Sequence, residues 1–144
     1  LDHAPQVTDL LVMVQREVGE RFAAGPGTAS YGIPSVKAQY WSEVSIVGNV
    51  PPKVFFPAPN VDSVLLKFSR RLDLEKVDLE LMWRLLKIGF GQRRKMLRKS
   101  LKGYIGIAEF NSAGLDPESR PQDLTVNDWV SLAIAAKIGE HSEN

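Results

Sequence analysis

Hydrophobic and polar positions divide the chain into two parts with different periodicity. Up to about Arg71, short apolar runs alternate with turn residues such as Gly25-Pro26-Gly27. Three runs predict strands, at residues 10–14, 43–47 and 61–68, and two segments predict helices, at 16–24 and 34–41. The first run, LLVMV, is continuous, which is typical of a buried parallel strand, although a buried helix segment also fits this pattern. Three strands form a small sheet with an exposed edge, so we expect this part to be incomplete as a parallel α/β sheet.

The pattern after Arg71 is helical. Asp78 is a predicted N-cap, followed by apolar positions at helical spacing on one face. A basic stretch from Gln92 to Leu101 also predicts a helix. Thr125 and Asp128 have the spacing of a capping box that opens a final helix. The chain is therefore predicted to be mixed α/β up to residue 71 and helical from there on.

Composition excludes several classes of protein. The 144 residues are 44% hydrophobic and 24% charged, which is typical of a soluble globular protein. There are no cysteines, which rules out disulfides, and with only two histidines, both near the ends, a metal site is not expected. No apolar run reaches the roughly 18 residues of a membrane span, and no signal peptide is evident.

The formal net charge of +1 hides a strong segregation of charge. From Trp83 to Lys102 there are eight basic residues and no acidic one. The remaining 124 residues carry 10 basic and 17 acidic side chains, a net charge of −7. The members of the cluster are Arg84, Lys87, Arg93, Arg94, Lys95, Arg98, Lys99 and Lys102. Charge of one sign on one element favours a phosphate-backbone partner over a merely solvated face. The apolar residues Phe90, Met96, Leu97 and Leu101 are expected to dock this stretch on the domain, with its charge outward.

Two further segments are candidates for function. The proline-rich segment from 51 to 59 holds Phe55, which is well placed to stack on a planar base beside an α/β sheet. On physical grounds alone, a ring that simply covers the sheet is the favoured interpretation. Gln15 and Glu17 follow the first strand, where open α/β sheets bind ligands, but a helix N-terminus also favours Glu17.

In combination, these segments resemble the KsgA family of rRNA adenine dimethyltransferases, and the resemblance covers nearly the whole chain. The family pattern V-M-x-Q-x-E-V matches residues 12–18, and Y-G-x-x-S-V matches residues 31–36. The pattern P-P-x-x-F-x-P-x-P-x-V-D-S matches residues 51–63, and F-x-Q-R-R-K-x-L-R matches residues 90–98. The ending Leu115-Asp116-Pro117 to Leu124-Thr125 also fits. Asn60 and Ala58 depart from the residues that the family often has there.

The resemblance implies a fold and a reaction. The fold is an α/β Rossmann-like methyltransferase domain, of which residues 1–71 are the C-terminal part, followed by a small all-α domain at 72–144 that binds RNA. The reaction dimethylates two adjacent adenines of small-subunit rRNA, with S-adenosylmethionine as methyl donor. The family's glycine-rich donor loop and N-L/I-P-Y/F catalytic motif precede the matched segments. We therefore expect this chain to be a piece of a longer protein, and neither to bind the donor nor to be active by itself.

The resemblance also implies the site residues and partners. Phe55 matches the aromatic residue that stacks on the target base. Five cations are expected to bind rRNA phosphates: Arg93, Arg94, Lys95, Arg98 and Lys99. The implied partner is the small ribosomal subunit or its precursor in the cytoplasm, with no metal and no membrane. An Erm-type enzyme acting on large-subunit rRNA and a non-catalytic rRNA-binding or ribosome-assembly module remain alternatives. A DNA-binding helical domain fits the α/β first half less well.

Overall fold

A computed structural model describes residues 6–54, 57 and 62–142. The chain divides into two compact units: residues 1–25 with 29–74, and residues 26–28 with 75–144. The first unit contains strands β1 (Asp9–Gln15), β2 (Ser42–Val50) and β3 (Ser63–Arg70), helices α1 (Arg16–Ala23) and α2 (Ile33–Trp41), and a 3₁₀ turn at Pro52–Val54. The second contains helices α3 (Leu79–Phe90), α4 (Leu97–Ser100), α5 (Ile107–Ser112) and α6 (Val126–Ser142), and a 3₁₀ turn at Pro121–Asp123.

The three described strands form one sheet in the order β1-β3-β2, and both pairs are antiparallel. The register places Val12 opposite Leu66 and Val44 opposite Phe68, with a bulge between Ile46 and Gly48. A bulge adds one residue to a strand and increases its local twist. The elements predicted at residues 16–24, 34–41, 43–47 and 61–68 are confirmed, with ends that differ by a few residues.

The prediction for residues 10–14 was right about a strand and wrong about its direction and burial. β1 pairs with β3 in antiparallel register, and no residue of β1 is buried. Leu11 and Met13 are exposed, whereas Val12 and Val14 are half-buried, so only one face of the strand is covered in the described part of the chain. An apolar run does not encode strand direction, because the hydrogen-bonding neighbour decides it.

Helices α1 and α2 are tied together by side chains that bond to backbone carbonyls. The Gln39 amide donates to the carbonyls of Phe22 (2.9 Å) and Ala24 (2.8 Å), where α1 ends. The buried Ser35 hydroxyl donates to the Arg21 carbonyl and accepts from the backbone N–H of Gly32. These bonds satisfy carbonyls that a helix C-terminus otherwise leaves without partners.

The core of the second unit lies among its helices. Its fully buried side chains include Met82, Leu85 and Leu86 of α3, Leu97 of α4, Phe110 of α5, and Trp129 and Leu132 of α6.

The predicted N-cap of α3 is confirmed, because the Asp78 carboxylate accepts a hydrogen bond from the backbone N–H of Leu81 at 3.1 Å. Among the described residues, we find no helix that is both long enough and apolar enough to cross a bilayer.

The predicted capping box at the start of α6 is also confirmed. The Thr125 hydroxyl accepts from the backbone N–H of Asp128 (3.0 Å), and the Asp128 carboxylate accepts from the backbone N–H of Thr125 (2.9 Å). This pair sets where α6 begins, and therefore where Trp129 enters the core.

We expect Thr125→Ala to lower the free energy of unfolding by about 1 kcal/mol, because the N-terminus of α6 loses its side-chain acceptor. Denaturant-induced unfolding followed by circular dichroism measures the change. Thr125→Ser, which keeps the hydroxyl, should unfold close to the wild type. Equal losses in both variants would show that the methyl group of Thr125, and not the cap, carries its contribution.

Candidate nucleic-acid interface

The eight cations between Trp83 and Lys102 all lie on the surface of the second unit. Arg84 and Lys87 belong to α3, three more occupy the turn that follows it, Arg98 and Lys99 belong to α4, and Lys102 follows α4. Each of the eight side chains is exposed. The sequence predicted that apolar residues of this stretch would dock on the domain and leave its charge outward. That orientation is confirmed, because Leu97 and Leu101 are fully buried.

The stretch is not the continuous helix that the sequence predicted from Gln92 to Leu101. Helix α3 ends at Phe90, residues 91–95 form a turn, and α4 spans only Leu97–Ser100. Met96 has extended backbone angles (φ −61°, ψ 142°), which break the helical hydrogen-bond ladder. The backbone N–H groups of Leu97 and Arg98 then bond to the carbonyls of Ser119 and Pro117. Hydrogen bonds to a segment that is distant in the sequence therefore replace those of a continuous helix. Sequence periodicity does not reveal such long-range hydrogen bonds.

Three hydrogen bonds fix the turn that contains Arg93–Lys95, here called the basic turn. The backbone N–H of Gln92 bonds to the Gly89 carbonyl, and that of Lys95 bonds to the Gln92 carbonyl. The Arg120 side chain donates through Nε to the Arg94 carbonyl at 2.9 Å. A turn fixed in this way presents its side chains at defined positions, so the cost of ordering it on binding is reduced.

Arg93 also contacts an aromatic ring. Its guanidinium carbon lies 5.1 Å from the centroid of the Phe90 ring, a cation–π distance. Phe90 in turn packs 5.7 Å from the buried Trp129 ring. Arg93 therefore rests on the core, while its charge stays at the exposed surface.

The first unit brings the ends of its strands together. Gln15, the last residue of β1, pairs with Ser63 of β3, and Ser63 pairs with Val50 of β2. The segment between Val50 and Ser63 therefore leaves and re-enters the sheet beside Gln15. Phe55 belongs to this segment and lies outside the described residues, so its predicted stacking role stays a prediction.

Arg16 holds both ends of this segment, and the sequence did not single it out. Its Nη2 donates to Asn49 Oδ1 at 3.1 Å and to Asp62 Oδ2 at 3.3 Å, while its backbone N–H donates to the Asp62 carbonyl. Only its place directly after the matched Gln15 could have drawn attention to it. Glu17, the other candidate residue here, is exposed. It forms an ion pair at 3.5 Å with Arg21, which lies one helical turn further along α1.

No group of acidic or histidine side chains in the described ranges could hold a metal ion. The described residues of this site form a fixed cationic surface. It suits electrostatic contacts with a polyanion.

Comparisons with known proteins agree with the motifs. The family model described as "Ribosomal RNA adenine dimethylase" matches residues 1–137. The chain is 40% identical over 145 residues to "Ribosomal RNA small subunit methyltransferase A" of Bifidobacterium adolescentis, covering 94% of this chain and 48% of that protein. It is 41% identical to the protein of the same name from Streptomyces coelicolor, covering 92% and 49%. The chain thus spans about half the length of the curated relatives it matches.

Solved structures show a similar fold. A dimethyladenosine transferase from Plasmodium falciparum superposes with a TM-score of 0.83 at 21% identity, covering 98% of this chain and 60% of that one. The 23S rRNA methyltransferase ErmE superposes with a TM-score of 0.65 at 20% identity, covering 93% and 57%. The folded units described above therefore recur in methyltransferase structures.

The exposure of the basic turn leads to a prediction about stability. The variant with Arg93, Arg94 and Lys95 all replaced by Ala should lose less than about 1.5 kcal/mol of unfolding free energy, since exposed substitutions cost little and the cation–π contact about 0.5–1 kcal/mol. Leu97→Ala, which empties a buried site beside the turn, should cost about 2–5 kcal/mol. Chemical denaturation compares the two. A triple variant as unstable as Leu97→Ala would mean that the basic turn is part of the fold.

Proposed function

Because this chain belongs to the ribosomal RNA adenine dimethylase family, we propose that it is the C-terminal part of a small-subunit rRNA adenine dimethyltransferase. The observation that carries this proposal is identity of about 40%, across more than nine-tenths of the chain, to relatives named for the small subunit. The full reaction is dimethylation of two adjacent adenines during ribosome biogenesis in the cytoplasm, with S-adenosylmethionine as donor.

The proposed division of labour follows the two units. Residues 1–71 form the last part of the Rossmann-like methyltransferase domain, and residues 72–144 form a helical domain that binds rRNA. Support for the second assignment comes from the cations of α4 and the basic turn, which are all exposed and have no acidic residue in the same stretch. Arg93, Arg94, Lys95, Arg98 and Lys99 contact rRNA phosphates in this proposal.

The described residues offer no evident site for the methyl donor. Among the described residues, no strand is followed by a glycine-rich turn, and Glu17 in the first turn of α1 pairs with Arg21. We therefore assign S-adenosylmethionine to the longer protein and to no residue here. In this proposal, the chain binds rRNA and, through Phe55, provides the surface on which the extruded adenine stacks. Stacking of about 1–3 kcal/mol per base offsets part of the few kcal/mol needed to unstack the target.

An Erm-type enzyme is the nearest alternative, and it shares the fold. The likeness to ErmE is at 20% identity and speaks only for the fold, whereas the relatives at 40% identity carry a small-subunit name. A non-catalytic assembly module would bind rRNA equally well. Methylation of small-subunit rRNA by the longer protein separates the enzyme from the module, and the modified subunit separates the two enzymes.

The RNA-binding part is tested by the dependence of affinity on salt. Each neutralised phosphate contributes a log–log slope of about −0.7 for single strands and −0.9 for duplex DNA. Replacing Arg93, Arg94 and Lys95 by Ala should therefore flatten the slope for an rRNA fragment by roughly two to three units. Fluorescence anisotropy at several salt concentrations measures it.

A charge-matched control comes from the first unit, whose Lys37, Lys53 and Lys67 are also exposed. Replacing those three by Ala should leave the slope nearly unchanged. Equal flattening in both triple variants would mean that RNA binds to net charge and not to the basic turn.

Phe55→Ala in the longer protein should reduce methylation by roughly 5- to 150-fold while rRNA affinity stays nearly constant. Stacking acts on the flipped base, and phosphate contacts supply most of the affinity. Single-turnover methylation and binding assays measure the two effects. Phe56→Ala is the matched control and should lack this selective loss. If Phe55→Ala melts much earlier yet methylates normally per folded molecule, Phe55 only packs.

A further inference from the structure

The second unit contains a cleft that includes Arg98 and Lys99 and whose concave shape the proposed phosphate contacts do not explain. It has a volume of about 1140 Å³ and lies between the first turns of α3, the loop that joins α4 to α5, and α6. Its lining is Asp78, Glu80, Leu81, Arg84, Arg98, Lys99, residues 102–107, Glu109, Ala136 and Lys137. The basic turn is not part of the lining. Small-molecule pockets usually measure about 300–1,000 Å³, so there is room for a nucleotide.

The charge of the cleft is positive once its internal contacts are considered. Lys137 pairs with Asp78 at 3.1 Å, and Glu109 Oε2 accepts from the backbone N–H of Gly106 at 3.0 Å. The N–H of Leu81, and then Lys137, lower the pKa of Asp78, so that pair persists at neutral pH. Outside that pair, two carboxylates of the lining remain charged, Glu80 and Glu109, against four cations, so the lining has a net charge of +2. The four cations are Arg84, Arg98, Lys99 and Lys102.

An exposed aromatic ring stands among these cations. Tyr104 is 47% exposed, and Ile107, which also lines the cleft, is 52% exposed. The ring is carried on a tight turn: Gly103 has φ +95°, and the backbone N–H of Tyr104 bonds to the Leu101 carbonyl at 2.9 Å. Ile105, the next residue, is buried. A large aromatic held at the surface by anchored neighbours is available to stack at little entropic cost.

We propose that this cleft binds one unpaired nucleotide of the rRNA, with its base stacked on Tyr104 against Ile107 and its flanking phosphates held by Arg98, Lys99 and Lys102. The inference rests on the proposed rRNA-binding function and gives it a second, single-stranded contact. Aromatic rings and interleaved cations are the chemistry of single-strand recognition. A duplex keeps its base faces covered, so a concave site with an open ring suits an unstacked base.

The test uses the 144-residue chain and a short single-stranded oligonucleotide that contains the fluorescent base 2-aminopurine. Tyr104→Ala should weaken binding by about 5- to 150-fold, the effect of losing one stacked base, without changing the salt slope. It should also abolish the fluorescence quenching that stacking produces. Tyr104→Phe keeps the ring and should bind and quench like the wild type. Tyr104 is half exposed, so both variants should melt near the wild-type temperature.

Charge is tested separately from stacking. Lys99→Ala combined with Lys102→Ala should flatten the single-strand salt slope by about 1.4 units while quenching at saturation persists. A fully paired duplex should bind wild type and Tyr104→Ala alike. Equal loss of affinity for duplex and single strand in Tyr104→Ala would overturn the proposal.

Two outcomes separate this inference from the function on which it rests. If Tyr104→Ala binds and quenches like the wild type while the basic-turn triple variant still flattens the salt slope, the nucleotide subsite is wrong and the RNA-binding function stands. If neither variant changes RNA binding, both fail. If the cleft instead captures an acidic peptide with RNA excluded, the subsite serves a protein partner and the proposal is also overturned.

Discussion

The buried ring of Trp129 packs closely against Gly89, where there is little room for a side chain. A Cβ at position 89 would lie 3.0 Å from Trp129 Cη2 and 3.1 Å from Leu97 Cδ2, both closer than ordinary van der Waals contact. This contact joins α3, α4 and α6 at one point of the core. The rest of the candidate interface is built outward from it: Phe90 packs on Trp129, and Arg93 lies over Phe90.

The same core explains how so many like charges can share one surface. Neighbouring cations repel one another, and the repulsion is only partly screened at physiological ionic strength. The complete burial of Leu97 and Leu101 stabilises this segment, because each buried leucine contributes about 1.5–3 kcal/mol. In this way apolar packing holds the cations together without any acidic neighbour in the stretch. A polyanion would relieve the repulsion and release its own counterions.

In the first unit, the sheet gathers residues that lie far apart in the sequence. Gln15, Val50 and Ser63 lie side by side across three strands, and Arg16 links Asn49 to Asp62 from the start of α1. The matched motif around Phe55 is therefore attached at both ends to a single place on the sheet. That arrangement suits the proposed role, in which an aromatic must meet an extruded base at a fixed position.

Local chemistry was enough to predict the elements whose signals are local. The Asp78 cap, the Thr125 and Asp128 capping box, three strands and the outward charge of the basic stretch all follow from side-chain pattern, since each depends on neighbours within a few residues. The family also follows from sequence, because several short motifs occur in one order. The side-chain pattern did not predict three other features. These are the direction and exposure of β1, the break of the basic stretch at Met96, and the hydrogen bonds from Arg16 to Asn49 and Asp62. Each depends on a partner far along the chain: β3 for β1, Pro117 and Ser119 for α4, and Asn49 and Asp62 for Arg16. The cleft at Tyr104 is also a product of tertiary structure, because only the packing of α3, α5 and α6 brings its cations and its ring to the same surface.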